Sequence, residues 1–518
     1  MSELLTMADA YRLIAPLLLT TLLAACSSDN NDRNDGPIEP PTPSPSGRGS
    51  LIVSPPERLG TYTPSQLVAL AGVDGAAATL LEFIADPVCS VDVHQLRYNT
   101  VDPAGQPTTA SGAMMVPGGT DATCQGARPI ILYAHGTNPE RSFNIANIGD
   151  PNSSEGLLMA IAFAARGYIV VAPNYAGYDT SSLPWHPYLH AQQQADDTVD
   201  ALTAARSSLP TSTAPTITDS GKLFITGYSQ GGFVAMATHR LLQQNGTAVT
   251  ASAPMSGPYA LGAFGDAVFQ GQVVGSAPLF VSWLATSYQR IYGNIYSNTA
   301  DMFDARYAPT IESLLPTAAS RSAIYDQGQL PREQLFSSTP PDPAFAAFTP
   351  ATSPSELAPV FARGFGPEAL ILNSYRLNYL QDTQTNPDGG FPTRTDGRPA
   401  AAPANGLRQA FKANDLRNWV PTSPTLLCAG DQDPTVLYMN TALMQQYWSD
   451  NNAANITVLD VDGDISLSDP YVELKTGFAA AKGALELSGG DTAVYEAYHT
   501  TLVAPFCLAA VASYFGDR

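Results

Sequence analysis

The most informative segment of this chain reads Gly227-Tyr228-Ser229-Gln230-Gly231 and has the pattern G-x-S-x-G. The apolar residues 222–226 before it predict a short buried strand, and residues 231–242 after it predict a helix. A serine at such a strand-to-helix turn is typical of a nucleophile elbow, in which glycines let neighbouring backbones come close. The start of the helix would direct N–H groups towards negative charge that develops on a substrate. We therefore predict that Ser229 is a nucleophile.

A serine nucleophile needs a general base, and after an elbow of this type the chain order is serine, acid, histidine. The chain contains six histidines: His94, His135, His186, His190, His239 and His499. Only the last two follow Ser229. His239 would lie about three turns along the helix after the elbow, away from the carboxyl edge of the sheet. His499 is therefore the predicted base.

The acid that orients the base is expected directly after a later predicted strand, 425–429. The segment Gly430-Asp431-Gln432-Asp433-Pro434 offers two aspartates. We favour Asp433, because a turn of the form Gly-x-x-Asp before an apolar helix start places that carboxylate at the edge of the sheet. Asp431 is the alternative, and the aspartate that is not the acid would shape the turn or cap a helix.

An oxyanion hole needs two backbone N–H donors. One comes from the residue after the nucleophile, Gln230, and the other from the loop that follows an earlier strand, 129–134. The segment His135-Gly136-Thr137 occupies that loop, so the N–H of Thr137 is the predicted second donor. His135 itself is expected to brace the loop.

Strand and helix patterns alternate within residues 51–258 and again within 421–518, which predicts an α/β core with a mostly parallel sheet flanked by helices. Between the two parts, residues 259–420 are rich in aromatic residues, Ala and Pro and have no strand rhythm. We interpret this segment as a mainly helical cap, inserted between the sixth and seventh core strands. A separate domain with its own function is the alternative.

Residues 1–26 are interpreted as a lipoprotein signal peptide. The apolar run 13–25 is shorter than the ~20 residues that span a bilayer, and it ends at Cys26 in a Leu-Ala-Ala-Cys sequence that resembles a bacterial lipobox. Cys26 is the predicted lipidation site, with an ordinary secretory signal as the alternative. Residues 27–50 are poor in apolar residues and predict a disordered tether. We expect a protein of the bacterial envelope, on the outer membrane and facing the periplasm or the exterior.

Apart from Cys26, the cysteines are Cys89, Cys124, Cys428 and Cys507. An even number in an exported protein predicts two disulfides, for which three pairings are possible. We favour Cys89–Cys124, which flank an early predicted hairpin, and Cys428–Cys507, which would join the segments that carry the predicted acid and base. A catalytic cysteine is the alternative interpretation.

The formal net charge of −21 argues against a nucleic-acid-binding protein, since phosphate contacts need clustered Lys and Arg. His186 and His190 have the i, i+4 spacing of some zinc sites, but Pro187 lies between them and no third ligand is evident. We expect these histidines to pack near the rim of the site. Neither a metal nor an organic cofactor is expected.

Five segments are distinctive as sequences. They read Tyr133-Ala134-His135-Gly136-Thr137, Val171-Ala172-Pro173-Asn174-Tyr175-Ala176-Gly177-Tyr178, His186-Pro187-Tyr188-Leu189, Gly227-Tyr228-Ser229-Gln230-Gly231-Gly232 and Ser252-Ala253-Pro254-Met255-Ser256-Gly257-Pro258-Tyr259. Together they resemble exported bacterial α/β-hydrolases, which are similar to the secretory lipase family of fungal lipase A-like enzymes. The resemblance implies an α/β-hydrolase fold with a lid and a carboxylic ester hydrolase that uses Ser229, Asp433 and His499. Two departures are Asn174, where relatives often have Asp, and a long segment, 462–491, before His499.

These features predict a serine esterase or lipase that forms an acyl-enzyme on apolar, lipid-like or polyester-like esters. A serine peptidase or amidase with the same fold is one alternative. A non-catalytic surface module that binds partners through the cap is the other.

Overall fold

A nine-stranded sheet runs through the centre of the structure, a computed structural model in which residues 47–150, 154–212 and 217–518 are described. The predicted signal peptide 1–26, with Cys26, and residues 27–46 of the predicted tether lie outside the described residues. The strands are β1 (Glu57–Tyr62), β2 (Ser90–Val101), β3 (Pro107–Gly118), β4 (Ala127–Ala134), β5 (Ile169–Pro173), β6 (Thr218–Tyr228), β7 (Ala251–Met255), β8 (Thr425–Ala429) and β9 (Ile456–Asp460).

The order of the strands in the sheet is β1-β2-β3-β5-β4-β6-β7-β8-β9. The pairs β1–β2, β2–β3 and β3–β5 are antiparallel, whereas the six strands from β5 to β9 run parallel. Strands β5, β7 and β8 are buried along their whole length, as expected for parallel strands that are covered on both faces. The predicted α/β fold with a mostly parallel sheet is confirmed.

Fifteen α-helices lie within the described residues and surround this sheet. They are α1 (Pro64–Ala71), α2 (Gly75–Leu81), α3 (Ser154–Ala162), α4 (Ala191–Ser212), α5 (Gln230–Gln244), α6 (Leu261–Phe269), α7 (Ala277–Tyr292), α8 (Thr299–Met302), α9 (Arg321–Asp326), α10 (Ala358–Arg363), α11 (Asn373–Thr385), α12 (Gly406–Asn414), α13 (Met439–Asp450), α14 (Val472–Ala497) and α15 (Val503–Gly516). Helices α4 and α5 pack together against the sheet, while α15 packs on it beside α2 and α3.

Helices α6 to α12 form the segment between β7 and β8, which we call the cap segment. Because β1 is also a strand of the sheet, this segment follows the seventh strand rather than the sixth. A buried ion-pair cluster fixes α6 inside it: Arg408 of α12 contacts both Asp266 of α6, at 2.7 Å, and Asp382 of α11, at 2.8 Å. A buried guanidinium needs such partners, since an unpaired buried charge is strongly unfavourable.

The long segment before His499 is mostly helical, which the sequence analysis did not anticipate. Helix α14 spans Val472–Ala497, with a break at Gly490, and a π-helical turn, Tyr498–Leu502, joins it to α15. The continuous stretch Val472–Gly516 is long and apolar enough to cross a membrane by length and composition. Most of its apolar window is buried inside the protein, as in the core helix of a globular domain.

Two disulfides are present, Cys89–Cys124 and Cys428–Cys507, and they match the pairing favoured from the sequence. All four cysteines are fully buried. The second bond joins the end of β8 to α15, so it links the chain just before Asp433 to the helix that follows His499.

Candidate active site

Ser229 lies at the turn between β6 and α5, with φ 59° and ψ −122°. A positive φ at a non-glycine residue costs on the order of 1–3 kcal/mol and persists only where the surrounding structure enforces it. Here the N–H of Ser229 donates to the carbonyl oxygen of Met255 at the end of β7, at 3.0 Å. The predicted elbow is therefore present, and it projects the serine side chain beyond the carboxyl ends of the parallel strands.

Glycine is required at position 231 because helix α5 starts in direct contact with the end of β4. A Cβ atom on Gly231 would lie 1.9 Å from the carbonyl oxygen of Ala134 and 2.8 Å from that of His135. Gly227 is similarly close, with a hypothetical Cβ 2.6 Å from the Ala134 oxygen. These glycines bring the loop after β4, which carries Thr137, next to Ser229.

The three residues predicted as nucleophile, base and acid come together at this edge. The Nε2 atom of His499 lies 2.9 Å from Oγ of Ser229, and its Nδ1 atom lies 2.6 Å from Oδ2 of Asp433. Because a carboxylate can only accept, Nδ1–H donates to Asp433, which leaves Nε2 free to accept from the serine hydroxyl. This is the arrangement that general-base activation of a serine requires.

Asp433 is fixed by the turn after β8. Its second carboxylate oxygen accepts from the N–H groups of Thr435, at 2.9 Å, and Val436, at 3.0 Å, and its side chain is fully buried. The alternative acid, Asp431, is exposed, and its N–H donates to the Asp460 carboxylate at 3.0 Å. The structure therefore places Asp433, and not Asp431, beside His499.

Tyr228 holds the base from the elbow itself. Its hydroxyl donates to the backbone carbonyl of His499, and its ring centroid lies 5.1 Å from the imidazole centroid. Burial, with the nearby Asp433 carboxylate, raises the pKa of Tyr228 well above its usual range, so the hydroxyl remains a donor. Sequence reasoning missed this residue, although its position next to the nucleophile was a usable signal.

The two residues predicted to supply the oxyanion donors, Thr137 and Gln230, line the same cavity as Ser229. Gln230 is the first residue of α5, so its N–H has no acceptor within the helix. In the described part of the chain, the N–H groups of Gln230 and Thr137 have no protein acceptor. The neighbouring Gly136 N–H is occupied, since it donates to the Glu155 carboxylate at 3.0 Å. Both predicted donors therefore remain available to a bound substrate.

Glu155 supports the loop that carries Thr137, a role that was not anticipated from the sequence. Its carboxylate accepts from the hydroxyl of Tyr133 as well as from Gly136 N–H. Removal of solvent raises the pKa of Glu155, partly offset by these donors. His135, the predicted brace, is fully buried between the carbonyl oxygens of Gly136 and Asn174, and burial lowers its pKa to about 4.

His239, His186 and His190 are hydrogen-bonded to groups other than Ser229 and Asp433. His239 hydrogen-bonds Ser252 at 2.8 Å inside the core. His186 is buried, with its Nδ1 2.8 Å from the Ala176 carbonyl oxygen, and the N–H of Gln193 donates to His190 at 3.3 Å. Across the described ranges, no group of three or more His, Cys, Asp or Glu side chains is arranged to hold a metal ion.

A cavity opens at Ser229 and runs between α6 and α7. Its walls are almost entirely apolar. One helical face of α6 contributes Leu261, Phe264, Gly265, Val268 and Phe269, and α7 contributes Ala277, Phe280, Val281 and Leu284. Among the residues that the structure describes, no charged side chain lines this cavity. Sequence reasoning missed α6, because its short apolar stretch lies in a segment without visible rhythm.

Comparison with known proteins agrees with this architecture. A sequence profile of the prolyl oligopeptidase family matches residues 157–274. The rice cell wall degrading esterase LipA from Xanthomonas oryzae, as its G231F mutant, has a TM-score of 0.66 and 25% identity over 91% of this chain and 99% of that chain. A structure from Legionella pneumophila has a TM-score of 0.60 and 18% identity over 89% of this chain and 96% of that chain. A search of curated protein sequences found no match.

Lipase A from Candida antarctica also aligns, with a TM-score of 0.45 and 13% identity over 79% of this chain and 76% of that chain. The likeness to LipA spans both parts of the core and the cap segment, and the prolyl oligopeptidase profile covers the elbow. The chain has an α/β-hydrolase fold and is similar to the esterase LipA.

Proposed function

We propose that this protein is a serine carboxylic ester hydrolase that forms an acyl-enzyme on Ser229. The observation that carries the proposal is the continuous hydrogen-bond relay from Ser229 through His499 to Asp433 at the mouth of an apolar cavity. The similarity to an esterase over nearly the whole of that protein supports the same reaction class.

In the proposed reaction, Oγ of Ser229 attacks the ester carbonyl carbon while Nε2 of His499 takes its proton. The N–H groups of Gln230 and Thr137 stabilise the tetrahedral oxyanion, and Asp433 stabilises the imidazolium. His499 then gives its proton to the departing alkoxide, which leaves as the alcohol. In the second half of the reaction, His499 takes a proton from a water molecule, whose oxygen attacks the acyl carbon. As the bond from that carbon to Ser229 breaks, His499 returns the proton to Oγ of Ser229 and the carboxylic acid is released.

The cavity favours an ester with an apolar chain. Its lining, within the described part of the chain, contains no charged side chain. An ionic or heavily hydroxylated group would therefore lose its hydration there without gaining partners. Leu261 and Val268 lie seven residues apart on one face of α6, which corresponds to about 10 Å of cavity wall, the length of a medium acyl chain. We propose lipid-like or polyester-like esters as substrates on this basis.

A serine peptidase is the second candidate, favoured by the match of residues 157–274 to the prolyl oligopeptidase family. Both reactions use the same relay, so the geometry of Ser229 and His499 does not separate them. The leaving group distinguishes the two reactions. An amine must be protonated as it departs, so an amide is the harder substrate for a site that is built for esters.

Replacing Ser229 with Ala should lower kcat on p-nitrophenyl esters by about 10⁴–10⁶-fold while the fold is retained, because the nucleophile is lost. The matched control is Ser282→Ala, a buried serine of α7 whose hydroxyl donates to the Leu279 carbonyl and which is not among the described residues that line the cavity. Initial rates on matched ester and amide substrates provide the measurement. Faster cleavage of the amide would favour the peptidase. If the native chain hydrolysed neither the ester nor the amide, a non-catalytic binding module would be the remaining interpretation.

Replacing Val268 with Trp should shorten the chain that the cavity accepts. We expect kcat/KM for an octanoate ester to fall by about 10–100-fold, because the added ring fills space along α6. The acetate ester, measured with the same variant, is the internal control and should change little. Equal losses on both esters would contradict the assignment of this cavity to the acyl chain.

We also propose that the chain is anchored to the bacterial envelope by lipid on Cys26. The lipobox-like end of the apolar run supports this, together with the two disulfides expected of an exported protein. In cells given radiolabelled palmitate, the native chain should carry label and sediment with membranes. The Cys26→Ala variant should lose both properties and Ser27→Ala should keep them. Label retained by Cys26→Ala would refute the anchor.

A further inference from the structure

We propose that the segment 185–189 is a positioning element that fixes both oxyanion donors and links them to helix α7 of the cap segment. The inference rests on the proposed function, because it assigns Gln230 and Thr137 as those donors. It adds two positioning residues, His186 and Tyr188, neither of which needs to touch the substrate carbonyl.

Tyr188 positions the oxyanion donor of Thr137. Its hydroxyl oxygen lies 2.8 Å from Oγ1 of Thr137, and the two hydroxyls are hydrogen-bonded. On the other side, Gly136 is held by Glu155 at 3.0 Å. The peptide between Gly136 and Thr137 carries the Thr137 N–H, so these two contacts fix the direction in which it points. Burial raises the pKa of Tyr188, which keeps its hydroxyl protonated.

His186 controls the second donor. Its Nδ1 faces the carbonyl oxygen of Ala176 at 2.8 Å, so Nδ1 carries the proton and donates. Its Nε2 then accepts from the side-chain amide of Gln230 at 2.9 Å. Burial lowers the pKa of His186 to about 3, so the ring stays neutral and keeps accepting at ordinary pH. The first residue of α5 is thereby held in place beside Ser229.

The core side of the segment is locked by a close backbone contact. Gly177 has a φ of +99°, and a Cβ atom there would lie 2.4 Å from the carbonyl oxygen of Trp185 and 2.6 Å from Cα of His186. Leu189, at the other end, has a φ of 52°. A positive φ at a residue other than glycine, such as Leu189, persists only where surrounding contacts enforce it, and such residues concentrate at functional sites.

The cap side of the segment is held by helix α7. The ring of Tyr188 stacks on Trp283, with centroids 4.6 Å apart and planes at 10°. One turn further along, the hydroxyl of Tyr288 donates to the carbonyl oxygen of Leu189 at 3.0 Å. The same helix forms a wall of the substrate cavity. A shift of α7 would therefore move Tyr188 and disturb the Thr137 N–H, which couples the cap segment to the chemistry.

The central test is Tyr188→Phe, which removes only the hydroxyl and keeps the ring against Trp283. An oxyanion donor acts on the transition state more than on bound substrate, so misplacing it should lower kcat roughly tenfold and leave KM within about twofold. The matched control is Tyr375→Phe, a buried tyrosine of the cap segment whose hydroxyl donates to the Ile295 carbonyl at 3.2 Å and which does not line the cavity. It should keep the native kcat.

A double-mutant cycle separates positioning from general destabilisation. Thr137→Val removes the partner of the same hydrogen bond and should give a similar loss in kcat, and the double variant should lose no more than either single variant. Trp283→Leu, which removes the stack, should also lower kcat more than it changes KM. The thermal unfolding temperature of each variant shows whether the substitution destabilises the fold. If Tyr188→Phe does not fold, Thr137→Val tests the same hydrogen bond.

Native kcat in Tyr188→Phe, or losses that multiply in the double variant, would overturn the inference while leaving the proposed function intact. A native chain without Ser229-dependent ester hydrolysis would overturn both. A loss in kcat that merely follows a lowered unfolding temperature, and that Tyr375→Phe shares, would also count against positioning.

Discussion

The contact between the start of α5 and the end of β4 is the constraint on which the site depends. With a side chain at Gly231, the carbonyl of Ala134 would have to move, and the loop that carries Thr137 would move with it. The same contact makes a positive φ at Ser229 tolerable, since the elbow is held by β4 on one side and by β7 on the other. The strain at Ser229 is thus balanced by packing.

Asp433 and His499, the acid and base of the proposed relay, are each held by two sets of contacts. Asp433 is bound by the turn after β8, and the Cys428–Cys507 disulfide ties that strand to the helix after His499. The His499 backbone is also bound by Tyr228, a neighbour of the nucleophile. Such cross-linking keeps the relay assembled without substrate, which reduces the reorganisation needed during the reaction. The cap segment is connected to the same site, because its helix α7 both lines the cavity and contacts Tyr188.

The sequence was sufficient for features that depend on local order. The elbow follows from the positions of its glycines, the turn with the acid from the end of a predicted strand, and the base from the order of residues along the chain. Strand β8 was predicted at its observed bounds, 425–429. The sequence was insufficient where contacts between distant parts of the chain determine the local structure. Helix α14, rich in Ala and Gly, has no clear apolar stripe, and β1 is mostly exposed, so neither gave a signal. The roles of His186 and Tyr188 arise from contacts with residues tens of positions away, which no local pattern encodes.

The most direct test of the central claim is to map the residue that a fluorophosphonate modifies. The native protein is treated with the reagent, digested, and its peptides are analysed by mass spectrometry, beside a His499→Ala variant. If the relay activates Ser229, one adduct forms per chain, on the peptide that contains Ser229, and its formation slows by more than about 100-fold in the variant. An adduct on another residue, or equal rates in the two proteins, would contradict the account.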